Sequence, residues 1–426
     1  MLLLPLLAVV GGCTLAGPAL WRPAAVLAAA LLAIALRFSA RFRAYQFTAW
    51  IVAAVTAAMI YPGAFQQIGS VSLRDKWLLL LIVQLVMFGM GTQMSLRDFA
   101  GIVKAPRGVL IGIVCHFSVM PLVGFALTRL FHFAPEIAAG VILIGSCSSG
   151  LASNVMAYIA RSNLVLSVTV TAITTMVAPL MTPLWMKLLA GTLIEIRFLD
   201  LMLEIVKIVL VPIGAALLHD YLKRASRRAR RVVYGLASLG VAWLMLLALG
   251  GWPWLTSALP PAAGTPLGLV GFLLAAVVAG VVFHGLTRRF PRVERAMPAF
   301  SMFGIVYFTL VTTAAGRDNL LKVGVWLFLA SVIHNAAGYA FGYGLSRLAK
   351  LDRNSARSIA FEVGLQNGSM ATGVANALGM LGTMGLAAAI FSPWMNVSGS
   401  LLANWWRKHP ADAAVKVGSI ERAPTD

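Results

Sequence analysis

Charge is scarce in this chain: Asp, Glu, Lys and Arg make up 11% of its 426 residues, and only 14 of them are acidic. Soluble domains carry about a quarter charged residues, so that poverty, joined to 60% hydrophobic content, excludes a soluble globular class. Cysteine is nearly absent. Cys13, Cys115 and Cys147 lie in apolar segments and are expected to pack as small hydrophobes, not to form a disulfide framework. No Gly-rich phosphate loop, HExxH or CxxC spacing is present, and short loops leave no room for a separate folded domain. An ATP-driven machine is therefore not expected.

What the chain has instead is apolar runs of bilayer-spanning length. They fall near 2–20, 24–37, 46–62, 77–95, 108–129, 137–160, 164–187, 199–222, 233–250, 266–287, 297–316, 323–346, 356–381 and 384–405. This is the pattern of an all-α polytopic membrane protein with about 12–14 spans. The first run lacks the positive leading segment of a signal peptide and reads as a helix. Residues 406–426 read as a polar tail.

The formal charge of +20 would suggest nucleic acid in a soluble protein. Here 25 Lys and Arg fall in one set of alternating loops and the tail, 8 fall on the opposite side, and Lys207 lies inside a span. That threefold bias places both termini in the cytoplasm of a multi-pass plasma (inner) membrane protein, with no nucleic-acid partner expected. The densest run, Lys223 to Arg231, reads as an inside loop or as a lipid-headgroup patch.

One carboxylate stands out. Glu362 sits within FEVGLQNGSM (361–370), with Gln366 and Asn367 close behind it. An acid at a helix centre costs roughly 2.5–3.5 kcal/mol to insert even on lenient scales, so its presence points to function. Gly364 and Gly368 are expected to let the backbone leave the helix there. A second polar knot, SCSSGLASN (146–154), interrupts the run near 137–160, about 210 residues earlier. Two such interruptions in corresponding spans are the signature of an inverted repeat with two broken helices. Ser167 and Thr171, spaced i,i+4, share one face of the next span. Hydroxyls, an asparagine carbonyl and one carboxylate form a hard, singly negative oxygen set that suits Na+ better than a transition metal or Ca2+.

FEVGLQNGSMA, SSGLASNVMAYIARSNLVLSVTVTAITT and MFGMGTQMSLRDF, in that spacing, resemble the signature segments of the bile acid:sodium symporter family over roughly 47–405. The resemblance implies an inverted-repeat transporter with a panel domain (46–95, 199–222, 297–316) and a core domain (108–187, 323–405) whose two broken helices cross beside the ions. It leaves 1–45 and 233–287 as additional helices, the latter inserted into the 46–405 transporter domain. It further implies one or two sodium ions. The first would be held by Ser153, Asn154, Ser167, Thr171 and Glu362. The second would be held by Glu362, Gln366, the carbonyls of Val363 and Leu365, and His116, which stands where the family has glutamine. Cys147-Ser148-Ser149-Gly150 replaces the family's Cys-Pro-Gly-Gly. The substrate would lie against Gly150, Leu151, Ala152, Asn154, Asn367 and Gly368. The function implied is sodium-coupled import of an organic anion, bile acid-like or a small carboxylate such as pantoate. A cation/proton antiporter of related fold and a non-transporting membrane sensor stay open as alternatives. No enzymatic role is expected: Glu204 and Lys207 read as an ion pair, and His219-Asp220 as a solvated helix end.

Overall fold

A computed structural model of the chain describes residues 18–39, 46–257 and 264–411. The expected first span, Cys13, Arg41, Arg43 and all but the start of the tail lie outside the described residues. The long elements are α1 (Pro18–Ala35), α2 (Gln46–Ile60), α3 (Lys76–Gly91), α4 (Pro106–Phe131), α5 (Pro135–Ser146), α6 (Ala152–Ile159), α7 (Leu164–Ala190) and α8 (Phe198–Arg224). They continue as α9 (Arg227–Ala248), α10 (Gly264–Arg289), α11 (Arg292–Ala315), α12 (Arg317–Leu348), α13 (Arg353–Gly364), α14 (Gly368–Ala377) and α15 (Gly385–Lys408). Among the described residues nine helices are long and apolar enough to cross a bilayer, and α2, α3 and α5 are shorter apolar helices. The molecule is an all-α polytopic membrane protein. The runs expected near 137–160 and 356–381 are each split in two.

Helix starts follow the chemistry of their first residues. Asp75, Asn163, Ser226, Asp352 and Asn367 precede α3, α7, α9, α13 and α14, and each side chain accepts a hydrogen bond from a first-turn N–H. Such caps satisfy donors that hydrocarbon cannot.

Lipid gives no hydrophobic drive to helix association, so close approach matters. Gly112 of α4 faces Val170 of α7, and Gly342 of α12 faces Ala360 of α13, with no side chain to hold the backbones apart. One group of helices forms around α12, which lies along α4, α13 and α15, while α15 also covers α5 and α14. In the other group α3 packs on α8 and α11, α11 on α2, and α2 on α1. The groups meet where α14 lies on α3 and α7 on α8. The helices of the 233–287 segment, α9 and α10, pack on each other, and α10 seats the pair on α8.

Candidate functional site

The two breaks face each other. Chain 147–151 between α5 and α6 meets 365–367 between α13 and α14 as one antiparallel bridge, Ser149 opposite Gln366. Gly150 N donates to Leu365 O at 2.9 Å, and Asn367 N donates to Ser148 O at 2.9 Å. The remaining carbonyls at the breaks find donors on neighbouring helices: Thr182 Oγ1 of α7 donates to Ser146 O at 2.6 Å, and Asn335 Nδ2 of α12 to Gly364 O at 2.8 Å. Irregular backbone at this depth survives because these carbonyls are given protein donors in place of hydrocarbon. Thr182 and Asn335 carry these roles.

The backbone leaves the helix between Gly364 and Gly368 as the sequence suggested, but not through glycine's access to positive φ. None of Gly150, Gly364 and Gly368 adopts a positive φ. Their need is for space: a Cβ on Gly150 would lie 2.7 Å from Gln366 O, one on Gly364 would enter the Tyr339 ring, and one on Gly368 would strike Ser392 Oγ.

Glu362, in the last turn of α13, is the only buried carboxylate among the described residues, and none of their ion pairs involves it. Ser167 Oγ donates to its Oε1 at 2.5 Å and Thr171 Oγ1 to its Oε2 at 2.8 Å. The same hydroxyls stand 2.9 and 3.2 Å from Asn154 Oδ1, and Ser153 Oγ stands 3.2 Å from Thr171 Oγ1. Each hydroxyl has one proton, so Asn154 and Glu362 compete for the same two. The cluster therefore holds more oxygen lone pairs than hydrogens to fill them, an arrangement that a small hard cation completes. Ser153, Asn154, Ser167, Thr171 and Glu362 are thus brought together from α6, α7 and α13.

Of the other expected ion ligands, Gln366 donates through Nε2 to Val363 O at 2.8 Å and leaves its buried Oε1 with no partner. Leu365 O takes Gly150 N and, at 3.3 Å, Ser149 Oγ. His116 is placed otherwise. Its Nδ1 lies 2.9 Å from Glu362 O and its Nε2 2.8 Å from Cys147 O, so the ring links the ends of α13 and α5 through their backbones. Neither nitrogen is turned to the oxygen cluster.

A cavity of about 320 Å3 opens beside the crossing. Gly150, Leu151, Ala152, Asn367 and Gly368 line it, and Asn154 does not. Gln93, Ser301, Ser392 and Asn396 also line it. Gln93 stands within one of the signature segments, but nothing in its spacing marked it as a wall residue. No Lys or Arg is among the lining residues, so an anion there would meet the amino-terminal ends of α6 and α14, where N–H groups point outward.

Elsewhere Lys207 and Glu204 pair at 2.9 Å, as the sequence suggested. His219 corrects it: the ring is buried, with Nδ1 3.3 Å from His284 Nδ1 and Nε2 3.6 Å from Glu294 Oε1, because α10 covers that end of α8.

Two broken, mutually bonded helices beside an acceptor-rich pocket define a class of multi-pass membrane protein built around a polar crossing. Residues 79–252 match the model of the sodium bile acid symporter family. The chain is 29% identical to an uncharacterized sodium-dependent transporter, YocS, of Bacillus subtilis (strain 168), over 88% of this chain and 94% of that one. It is 28% identical to the probable sodium/metabolite cotransporter BASS1, chloroplastic, of Arabidopsis thaliana, over 85% and 73% of the two chains. It is 26% identical to the human ileal sodium/bile acid cotransporter, over 68% and 66%. The chain is thus similar to the sodium bile acid symporter family over residues 79–252, and to proteins named as sodium-dependent transporters over most of its length.

Proposed function

We propose that the chain is a secondary active symporter that uses an inward sodium gradient to import a small organic anion. The observation that carries this reading is Glu362: a buried carboxylate with no basic partner, ringed by the oxygens of Ser153, Asn154, Ser167 and Thr171. The names of the relatives, sodium-dependent transporter and sodium cotransporters, support it. In this reading Na+ is cargo and neutralises Glu362. The orphaned Gln366 Oε1 is the side-chain oxygen available to a second ion, while His116 acts as a brace and not as a ligand.

The same ion couples binding to transport. The oxygen set joins α6 and α7 to α13, so sodium fixes the crossing and with it the two helix amino termini that face the cavity. Anion affinity rises when sodium is bound, and sodium affinity rises by the same factor when the anion is bound. The two helix groups, corresponding to panel and core, then rock about the crossing to expose the site alternately. In this reading both termini lie in the cytoplasm and the protein sits in the plasma (inner) membrane, and the bias of Lys and Arg between alternate loops supports that orientation. A cavity of about 320 Å3, at the small end of ligand sites, favours a compact carboxylate over a steroid conjugate.

A thermal-shift screen of organic anions in NaCl and in choline chloride tests this. A compact carboxylate is expected to stabilise the protein only when sodium is present, and the same compound to be taken up by proteoliposomes along a sodium gradient. Stabilisation independent of sodium, or proton flux without any anion, contradicts it.

A further inference from the structure

A second built site lies between the 233–287 helix pair and the rest of the protein. α3, α8 and α10 enclose an apolar groove of about 410 Å3 whose walls include Leu81, Leu85, Ala215, Ala279, Val282 and Leu286. Leu81, Val282 and Leu286 are exposed, which opens the groove laterally to the bilayer. Its α10 wall runs from Phe272 to Leu286, about 21 Å at 1.5 Å per residue. That is the reach of one extended acyl chain through a leaflet whose hydrocarbon is about 15 Å deep.

One end of the groove is positively charged. Phe88 stacks edge-on with Phe283 at 4.8 Å, Phe283 with His219 at 4.9 Å, and His219 Nδ1 meets His284 Nδ1 at 3.3 Å. Around the His284 ring, Lys223 of α8, Arg230 of α9 and Arg288 of α10 are all close enough to act on it electrostatically. Opposing them is Glu294 of α11, which accepts Lys223 Nζ at 2.6 Å and lies 3.6 Å from His219 Nε2; Asp220 is taken by Ser95 Oγ at 2.9 Å. Three buried nitrogens in this cluster have no hydrogen-bond partner: His219 Nε2, which faces only Glu294, His284 Nε2, on a residue 4% exposed, and Arg230 Nε. Arg230 is otherwise tied only through its terminal nitrogen, 3.5 Å from Lys223 O.

We propose that this is a binding site for an anionic phospholipid, with one acyl chain in the groove and the headgroup phosphate against Arg230, Arg288 and His284. Charge complementarity selects the headgroup, and an apolar trough ending at a basic rim selects a lipid over a free anion. The site exists because the inserted pair is present: Arg230, His284 and Arg288 all belong to α9 or α10. The bound lipid joins those helices to α3 and α8.

The test is a thermal-shift and native mass-spectrometry titration of the full chain in detergent with phosphatidylglycerol, phosphatidylcholine or inorganic phosphate. Phosphatidylglycerol is expected to stabilise the wild type and to be retained in the mass spectrum, with phosphatidylcholine at least tenfold weaker and phosphate inert. Arg230→Gln with Arg288→Gln is expected to remove the preference between the two lipids, and Ala279→Phe, which fills the groove and keeps the rim, to weaken both. Equal effects of the two lipids on the wild type, an effect of phosphate equal to that of phosphatidylglycerol, or unchanged selectivity in the double variant would overturn the proposal. A sodium-induced shift in each variant checks that it is folded.

Discussion

Replacing Glu362 by Gln separates the charge of this side chain from its shape. At an oxygen to cation distance of about 2.5 Å and an effective dielectric of about 20, the gross attraction is roughly 7 kcal/mol, from which desolvation of both ions subtracts. Loss of one partner of a buried pair costs about 3–5 kcal/mol, so apparent sodium affinity should fall by roughly 100- to 4,000-fold. The fold should persist. The new amide can donate to Ser167 or Thr171, whose hydroxyl proton is then free for Asn154 Oδ1 at 2.9 or 3.2 Å. In sodium-free buffer the variant should be at least as stable as the wild type, since a buried charge without a counter-ion has been removed. Sodium titrations followed by thermal shift, with radiolabelled sodium binding, measure both effects. A half-saturating sodium concentration within threefold of wild type refutes the assignment. So does a variant that is already unfolded without sodium, which would make the carboxylate a structural anchor.

Thr171→Val keeps the shape but takes away one oxygen and should raise the sodium requirement about ten- to a hundredfold, read from the same titration. His116→Phe strands whichever of the Cys147 and Glu362 carbonyls takes the single N–H of the neutral ring and should destabilise the protein by about 1–3 kcal/mol, whereas His116→Gln should restore part of that and leave sodium affinity nearly unchanged. Gly150→Ala should spread the crossing, because its Cβ would meet Gln366 O, and should abolish uptake while the protein still elutes as a folded species in detergent. Asp352 caps α13: burial raises the pKa of its carboxyl, but hydrogen bonds from Ser355 and nearby backbone outweigh this and hold it below the ordinary carboxylate range. Its stabilisation is therefore present above the unfolded pKa and lost as pH falls through the folded one. Asp352→Asn, an equally good cap, should lose less stability between pH 6 and pH 3 than the wild type in thermal melts.

The spans were legible because hydropathy over a bilayer's width is a property of consecutive residues. So was the isolation of Glu362, since an acid in an apolar run is conspicuous whatever surrounds it. The breaks at 147–151 and 365–367 were legible from their polar clusters, but the reason for their glycines was not. Gly364 needs room for Tyr339, 25 residues earlier, and no local pattern encodes that proximity. His219 misled for a related cause: a histidine beside a basic loop reads as solvated until α10, 65 residues on, is laid over it.

The amino-acid order by itself determined that this chain lives in a membrane, where its apolar runs lie, and which acid is stranded at depth. Those facts follow from the cost of moving each residue out of water, which is summed locally. Only the tertiary structure decided what satisfies the broken backbone, why His116 braces two helix ends while Gln366 keeps a free oxygen, and that the inserted pair closes a basic-rimmed groove. Those are matters of which atoms meet across distant helices, and hydrogen bonding and packing settle them only after folding.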